Sequence, residues 1–378
     1  MTTRNYFAVV ALAGLVAACD SPLDTNPTTA IDAGTALTSA RGIDLAVNGA
    51  YRQLQSGSLY ARQELAFSDM YTDNLNYTGT FTGDREVSIR AIQPSNGEVG
   101  GIWSSSYVGI NRVNYILDAL DKVSDMSDAQ KATTRGQMLW LRGLFYTILV
   151  KYYGGVPIVD KPTQTVDSAS VNLPRATQAA TYAFIIRDLE EAATLLSPSR
   201  SSGRATQGAA NALLARVYLE VGDNAKARDK ATTVISNTAY RLVTTFNSLW
   251  DLSSKNSTES IYEVQFTTTN SNAAAFWFAP TALGGRLGFA PTPDLYNAFE
   301  AGDVRRDASI TTHSSGQRWG YKYRQIGPGT DNIPVLRLAE QYLIRAEANA
   351  RLNTAAATVQ ADINVVRNRA GLANLATT

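Results

Sequence analysis

Apolar residues return every three or four positions over most of the chain, the period of a helix buried along one face. In residues 40–55 that face is Ile43, Ala46, Val47, Ala50, Tyr51 and Leu54. Residues 65–71 continue helical. Residues 102–120 form a long helix carrying Trp103, Tyr107, Ile110, Val113, Asn114 and Leu117. The next helix, capped by Ser127 or Asp128, runs to about Tyr153 with Met138, Leu141, Phe145, Ile148 and Leu149 inward. Gly154 and Gly155 stop it, and Pro157 forces an extended exit. Residues 168–174 are loop. Residues 177–196 set Ile185, Leu189, Ala192 and Leu196 in register. Residues 203–235 predict two helices broken at Gly222-Asp223-Asn224. Thr206 or Gly203 opens the first of them, and Gly222 takes the left-handed conformation that ends it. Two last helices follow at 336–352 and 355–370.

The spacing of Leu214-Ala215, Tyr218, Gly222, Ala227 and Ala231 is that of a tetratricopeptide unit. Small residues at 215 and 227 let the two helices approach, and Tyr218 fills the groove between pairs. The last pair is a degenerate copy, with Ala346 in the place of Ala215 and Asn349 and Asn353 in the places of the tyrosine and the glycine. Two stretches lose the helical period. Residues 73–83 read as a polar, glycine-punctuated loop with Tyr77 and Phe81. Residues 240–332 are rich in Ser, Thr, Asn, Gly and aromatics, with one alternating run at 261–266 that suits a short strand. Long irregular insertions in compact domains are usually functional. The fold expected is therefore mainly α: a tetratricopeptide-like helical-pair scaffold at 40–239 and 333–378, with an irregular, loop-rich insertion containing short strands at 240–332, the whole forming a single domain, 40–378.

Composition changes the picture in two ways. The net charge is +1 and only 18% of residues are charged, with no basic stripe, so no nucleic-acid partner is expected. There is one cysteine, Cys19, and one histidine, His313, which removes disulfide frameworks, Cys/His metal clusters and a thiol nucleophile in the body of the chain. No metal or cofactor is expected, and no loop has a calcium-binding pattern. Arg4, the apolar run 7–16 and Val16-Ala17-Ala18-Cys19 read as a signal peptide over residues 1–18 ending at a lipobox. Cys19 is then the acylated N-terminus, and 19–39 is a polar tether. Asp20 favours inner-membrane retention in some bacteria, so this motif alone leaves the membrane open.

Together these segments resemble the SusD/RagB family of outer-membrane nutrient-binding lipoproteins. The marks are the lipobox at Cys19; Ile102-Trp103 with Tyr107, Ile110-Asn111-Arg112 and Asn114; Arg142-Gly143-Leu144-Phe145-Tyr146 leading to Tyr152 and Pro157; and Gly203-Arg204-Ala205-Thr206. Late in the chain come Phe299-Glu300, Gly302-Asp303 and Arg305-Arg306, then Leu338-Ala339-Glu340, Tyr342 to Glu347, and Val365 with Arg367, Arg369, Ala370 and Gly371. The resemblance implies a lid on a TonB-dependent outer-membrane barrel, lipid-anchored at the cell surface, that captures oligosaccharides or a similar nutrient and passes them inward without catalysis. The chain is shorter than many members, so the insertion is a place where ligand contacts can be trimmed.

A sugar ring presents an apolar C–H face and a rim of hydroxyls, which aromatic rings and Asp, Asn or Arg side chains respectively match. Two places supply both kinds of residue. One holds Asp73, Asn74, Asn76, Tyr77 and Arg85, with Trp103 a candidate neighbour. The other holds Asn272, Trp277, Phe278, Trp319, Tyr321 and Tyr323. Packing is the competing role for each tryptophan, and Trp140 and Trp250 are expected in the core. Asp303 with Arg305 and Arg306 reads as a structural charge pair, and His313 as a loop residue. Two other functions compete: a glycoside hydrolase, which would need paired carboxylates that no motif supplies, and a periplasmic tetratricopeptide-type scaffold lipoprotein that binds protein partners.

Overall fold

The computed structural model describes residues 36–164 and 172–376. Cys19, the signal peptide, most of the tether and part of the 168–174 loop lie outside the described residues. Helix α1 (Ala40–Arg52) opens on Ser39, whose hydroxyl accepts from the Gly42 amide. It is followed by α2 (Gln63–Tyr71), strand β1 (Leu75–Tyr77) and α3 (Thr82–Ser88). The stretch expected as loop at 73–83 thus contains a strand and the start of a helix. Helix α4 (Gly97–Leu120) is capped by the Asn96 side chain, and α5 (Asp128–Tyr153) by a reciprocal Ser127–Gln130 capping box. Helices α6 (Gln178–Leu195), α7 (Gln207–Glu220) and α8 (Asn224–Ile235) complete the first part of the scaffold.

Helix α5 is buried along nearly its whole second half, with Trp140, Phe145 and Tyr146 fully enclosed. Each such side chain stabilises by about 1.5–3 kcal/mol relative to exposure. A polar network runs through the same layer. Arg142 on α5 makes a bidentate pair with Asp188 on α6, at 2.6 and 3.1 Å, and donates to Asn114 Oδ1 on α4 at 2.8 Å. The Asn114 amide in turn donates to the carbonyls of Val159 and Lys161. These family-like positions therefore fix three helices and the extended exit after α5 to one another.

The α7–α8 pair has the geometry its spacing predicts. Thr206 caps α7, Gly222 turns at φ +81°, and Ala215, Ala227 and Ala231 are fully buried. The Tyr218 hydroxyl crosses to Glu190 of α6 at 2.8 Å, so it does sit in the groove between pairs.

Beyond α8 come β2 (Ser260–Val264), α9 (Ala274–Phe278), β3 (Phe289–Pro291), α10 (Pro293–Asn297), α11 (Val304–Ser309), β4 (Ile310–Thr312), β5 (Arg318–Gly320) and β6 (Ile333–Arg337), then α12 (Leu338–Arg351) and α13 (Ala356–Arg369). The strands form three antiparallel two-stranded ladders, β1–β3, β2–β6 and β4–β5. One expectation is corrected here. The helix expected from Leu336 begins at Leu338, because Ile333–Arg337 is drawn into the ladder with β2. The alternating run 261–266 does supply a strand, and every residue of β2 is buried, Glu263 included. Glu263 is accommodated because its carboxylate accepts from the Asn256 amide and the Asn332 side chain. Just before β2, fully buried Glu259 meets Arg337 and Arg369.

The helices stack in order, α4 on α5, α5 on α6, α6 on α7 and α7 on α8, and the stack then continues from α8 directly to α12 and α13. The residues between α8 and β6 leave the stack and return to it. Arg216 of α7 holds the return with a bidentate pair to Glu340 of α12 at 2.6 and 2.8 Å.

Candidate functional site

The two stretches singled out for their sugar-matching residues lie about two hundred positions apart in sequence, and the structure joins them. Strand β1 pairs with β3 in the register Leu75 to Pro291, Asn76 to Ala290 and Tyr77 to Phe289. The ladder is extended at both ends by Thr78 N to Gly288 O at 3.0 Å and Thr292 N to Asn74 O at 3.0 Å. Thr292 Oγ1 also donates to the Asp73 carbonyl at 2.7 Å.

An aromatic stack stands on this ladder. Phe289 is buried and stacks on Trp277 at 5.2 Å and 21° between ring planes. Tyr77 and Phe278 meet Phe289 from other sides at 6.1 and 5.6 Å. Gly288 makes the stack possible, since a Cβ there would lie 2.5 Å from the Trp277 ring. The Arg62 guanidinium covers Trp277 at 4.1 Å. Arg62 is itself held by Glu98 at 3.0 Å and by Asp84, whose carboxylate is wholly buried. Burial pushes the Asp84 carboxyl up, and the Arg62 charge pulls against that shift.

The outer part of the stack is Phe81, 45% exposed, with its ring 5.9 Å from Trp277. The Arg286 guanidinium lies 4.5 Å over Phe81 and 5.0 Å over Trp277. The Tyr77 hydroxyl accepts from the Phe81 amide at 3.0 Å and fixes the loop that carries this ring. Arg286 comes from a tight turn in which Leu287 has φ 48°, a left-handed conformation costing a side-chain-bearing residue about 1–2 kcal/mol. The outer surface is thus a half-exposed aromatic ring beside a guanidinium, on a rigid aromatic base.

The remaining predicted residues are placed differently from one another. Asp73 is exposed and pairs with Arg90. Asn74 donates to Asp69 at 2.8 Å and lines a neighbouring cavity of about 310 Å³ with Phe278, Phe299 and Lys322. Burial and the nearby Arg337 charge lower the Lys322 ammonium to about 8. Arg85 is exposed and has no ion pair among the described residues. Trp103 is partly buried, with ring contacts to Tyr107 at 5.0 Å and Tyr153 at 5.1 Å, and belongs to the α4–α5 packing. Trp277 and Trp319 are only 8% and 5% exposed, so neither presents an open ring face. Trp319 lies on β5 and meets Tyr321 edge-on at 5.0 Å, apart from the Trp277 stack. Asn272 is buried, bridging the Asp331 carbonyl and the Ala274 amide. Trp140 and Trp250 are buried. Asp303 caps α11 and pairs with Arg305, a structural arrangement. The His313 ring bonds Ser315 within its own turn.

Sequence reasoning did not single out Arg62, Arg286 or Phe289, and it noted Phe81 only as part of a loop. A lone arginine carries no periodic signal, and its role here comes from the ring it lies over.

Residues 22–219 match a family described as starch-binding and associating with the outer membrane, and residues 309–378 match the SusD family. A SusD-like protein of Bacteroides ovatus is 26% identical over 66% of this chain, and the match spans 55% of that relative's length. Among solved structures, surface glycan-binding protein A from Bacteroides uniformis is similar with TM-score 0.81 and 23% identity, over 90% of this chain and 82% of that one. A laminarin-binding SusD-like protein is similar with TM-score 0.79 and 24% identity, over 89% and 86% of the two chains.

Proposed function

This chain belongs to the SusD/RagB family, and we propose that it is a non-catalytic glycan-binding protein whose binding surface is the aromatic and guanidinium patch on the β1–β3 ladder. The observation that carries the reading is the pairing of β1 with β3. It assembles Tyr77 and Phe81 from one end of the chain with Trp277 and Arg286 from the other. Phe81 offers the ring face for a pyranose, and Arg286 donates to hydroxyls at its rim. Asp73 and Asn74 lie at the other end of the ladder, beside Thr292, and Arg85 is on α3; none of the three is assigned a contact to the glycan on Phe81. Trp277 acts beneath it by fixing Phe81 and Arg286. Trp103, Trp319 and Tyr321 have packing roles in this reading. The starch-binding description of the family and the glycan-binding names of similar structures support the ligand class.

The wider role follows from the family: a lipid-anchored protein, held through Cys19 at the outer membrane and facing the cell surface, that delivers glycan to a TonB-dependent barrel. Among the described residues no helix is long and apolar enough to cross a membrane.

Calorimetry with starch-type and laminarin-type oligosaccharides tests the site. Phe81→Ala and Arg286→Ala should each weaken binding about tenfold, the loss of one ring or cation contact worth about 1–2 kcal/mol. Trp319→Ala should leave affinity unchanged. Affinity preserved in both the Phe81 and Arg286 variants would reject the patch, and failure of every neutral glycan to bind would reject the ligand class.

A further inference from the structure

A second cavity, of about 360 Å³, shares no residue with the β1–β3 patch. Its size is within the roughly 300–1,000 Å³ range of small-ligand sites. One wall is a single face of α1: Asn48, Tyr51, Arg52 and Gln55, spaced three, four and seven positions apart from the first. The second wall is the Gly203-Arg204 segment leading into α7, and the third is β2 and its continuation, with Tyr262, Gln265 and Asn270.

The charges in this cavity are unbalanced. It is lined by two guanidiniums and by no carboxylate. The Arg204 guanidinium lies 4.5 Å over the Tyr51 ring and donates to the Asn48 side-chain oxygen, both neutral partners. Among the described residues Arg204 meets no carboxylate, and Arg52 makes no hydrogen bond or ion pair. A partly buried cation with only neutral partners is costly until a counter-charge arrives. The enclosed guanidiniums of Arg142 and Arg369 are matched by carboxylates, Asp188 and Glu259, and the partly buried Arg200 by three backbone carbonyls.

The rest of the lining is neutral. Tyr51 and Tyr262 lie 6.5 Å apart at its base and are both buried, Tyr51 beneath the Arg204 guanidinium and Tyr262 against Trp140. Among the described residues the Tyr262 hydroxyl makes no hydrogen bond. Gln55 donates its amide to the Gln265 carbonyl at 2.6 Å, and this leaves Gln55 Oε1 buried without a partner. A buried acceptor of this kind is satisfied by a donor such as a sugar hydroxyl.

We propose that this cavity is a second saccharide site, specific for a unit bearing a carboxylate or sulfate group, with Arg52 and Arg204 binding the anion and Gln55 accepting from a hydroxyl. The saccharide part rests on the glycan-binding reading, whereas anion recognition stands on the charge arrangement alone. The protein would thereby hold an acidic glycan at two points, a neutral stretch on Phe81 and an acidic unit between α1 and α7.

The test is calorimetry with an oligogalacturonide, its fully methyl-esterified counterpart and a sulfated galactan oligosaccharide. The acidic probes should bind at least about tenfold tighter than the ester, the scale of one charge-assisted hydrogen bond. Their affinity should fall as salt rises. Arg52→Gln and Arg204→Gln should each remove that advantage and leave binding of the ester unchanged. Arg52 is exposed and unpartnered, so its variant folds normally even if Arg204→Gln disturbs Tyr51. A preference for the carboxylate probe alone, or for the sulfate alone, supports the site and identifies its anion. Equal affinity for acid and ester, acid binding that survives the Arg52 change, or no binding of either acidic probe overturns the proposal. Neutral-glycan binding that depends on Phe81 would leave the first site standing in that case. Acid binding that depends on Arg52 without neutral-glycan binding would support this cavity and reject the Phe81 patch.

Discussion

At the scale of single residues, burial has turned several polar groups into structural partners, and each depends on a neighbour the sequence does not place beside it. Glu64 on α2 is the clearest. One of its carboxylate oxygens is buried without a partner. Burial raises its carboxyl from 4.5 to about 7, although a Tyr152 hydrogen bond and the Lys151 and Arg216 charges act the other way. The protonated form is therefore the one the fold prefers. Its contribution to stability is full below about pH 4.5 and is lost as pH rises through about 7. Glu64→Gln should raise stability by about 1–2 kcal/mol at pH 8 and by almost nothing at pH 4. Urea unfolding at the two pH values measures this, and an equal change at both would reject it. The tryptophans make the same point about the candidate site. Composition marks Trp277 and Trp319 as sugar-facing, yet both are buried, and the exposed ring is Phe81. Nothing in the local sequence distinguishes a tryptophan that faces a ligand from one that supports a ring that does.

At the scale of elements, the helical pairs were legible because their signals are local. Caps, small residues at close approaches and left-handed turns all act within one helix or one pair. The last pair shows how far this extends. Asn353, standing where the first pair has Gly222, takes φ 55°, and the Asn349 carbonyl accepts from both the amide and the hydroxyl of Thr354. Asparagine is tolerated in this conformation and glycine is favoured. Asn353→Gly should therefore stabilise by about 0.5–1 kcal/mol, and Gly222→Ala should destabilise by about 1–2 kcal/mol. Thermal unfolding of the two variants should show shifts of opposite sign; shifts of the same sign would count against an equivalent turn in the two pairs. The strands were far less legible. Strands β1 and β3 have three residues each, too few for an alternating pattern, and their pairing is specified by a partner on the other side of the scaffold. Strand β2 was legible from its alternation, while the burial of both its faces, Glu263 included, is decided by what packs against it.

At the scale of the whole molecule, the insertion leaves a continuous helical stack after α8 and rejoins it at α12, where the Arg216–Glu340 pair closes the junction. The stack is thus a rigid base, and the departing segment reaches back to β1 to form the candidate patch. In the proposed role the protein is held at the membrane through Cys19, and Cys19→Ser should then move it from the membrane fraction to the soluble fraction. Loss of acyl chains removes about 0.8 kcal/mol of membrane affinity per buried CH₂. Full retention in membranes after fractionation would reject the anchor. The sequence by itself determined the helices, their pairing into repeat-like units, the family and the two regions where sugar-matching residues collect, because these rest on periodicity, caps and ordered motifs. Only the tertiary structure decided that those regions meet, that Phe81 and Arg286 form the exposed face, and that Arg52 and Arg204 share a cavity without a counter-charge. Those outcomes depend on contacts between residues about one hundred and fifty to two hundred positions apart, which packing specifies and local pattern does not.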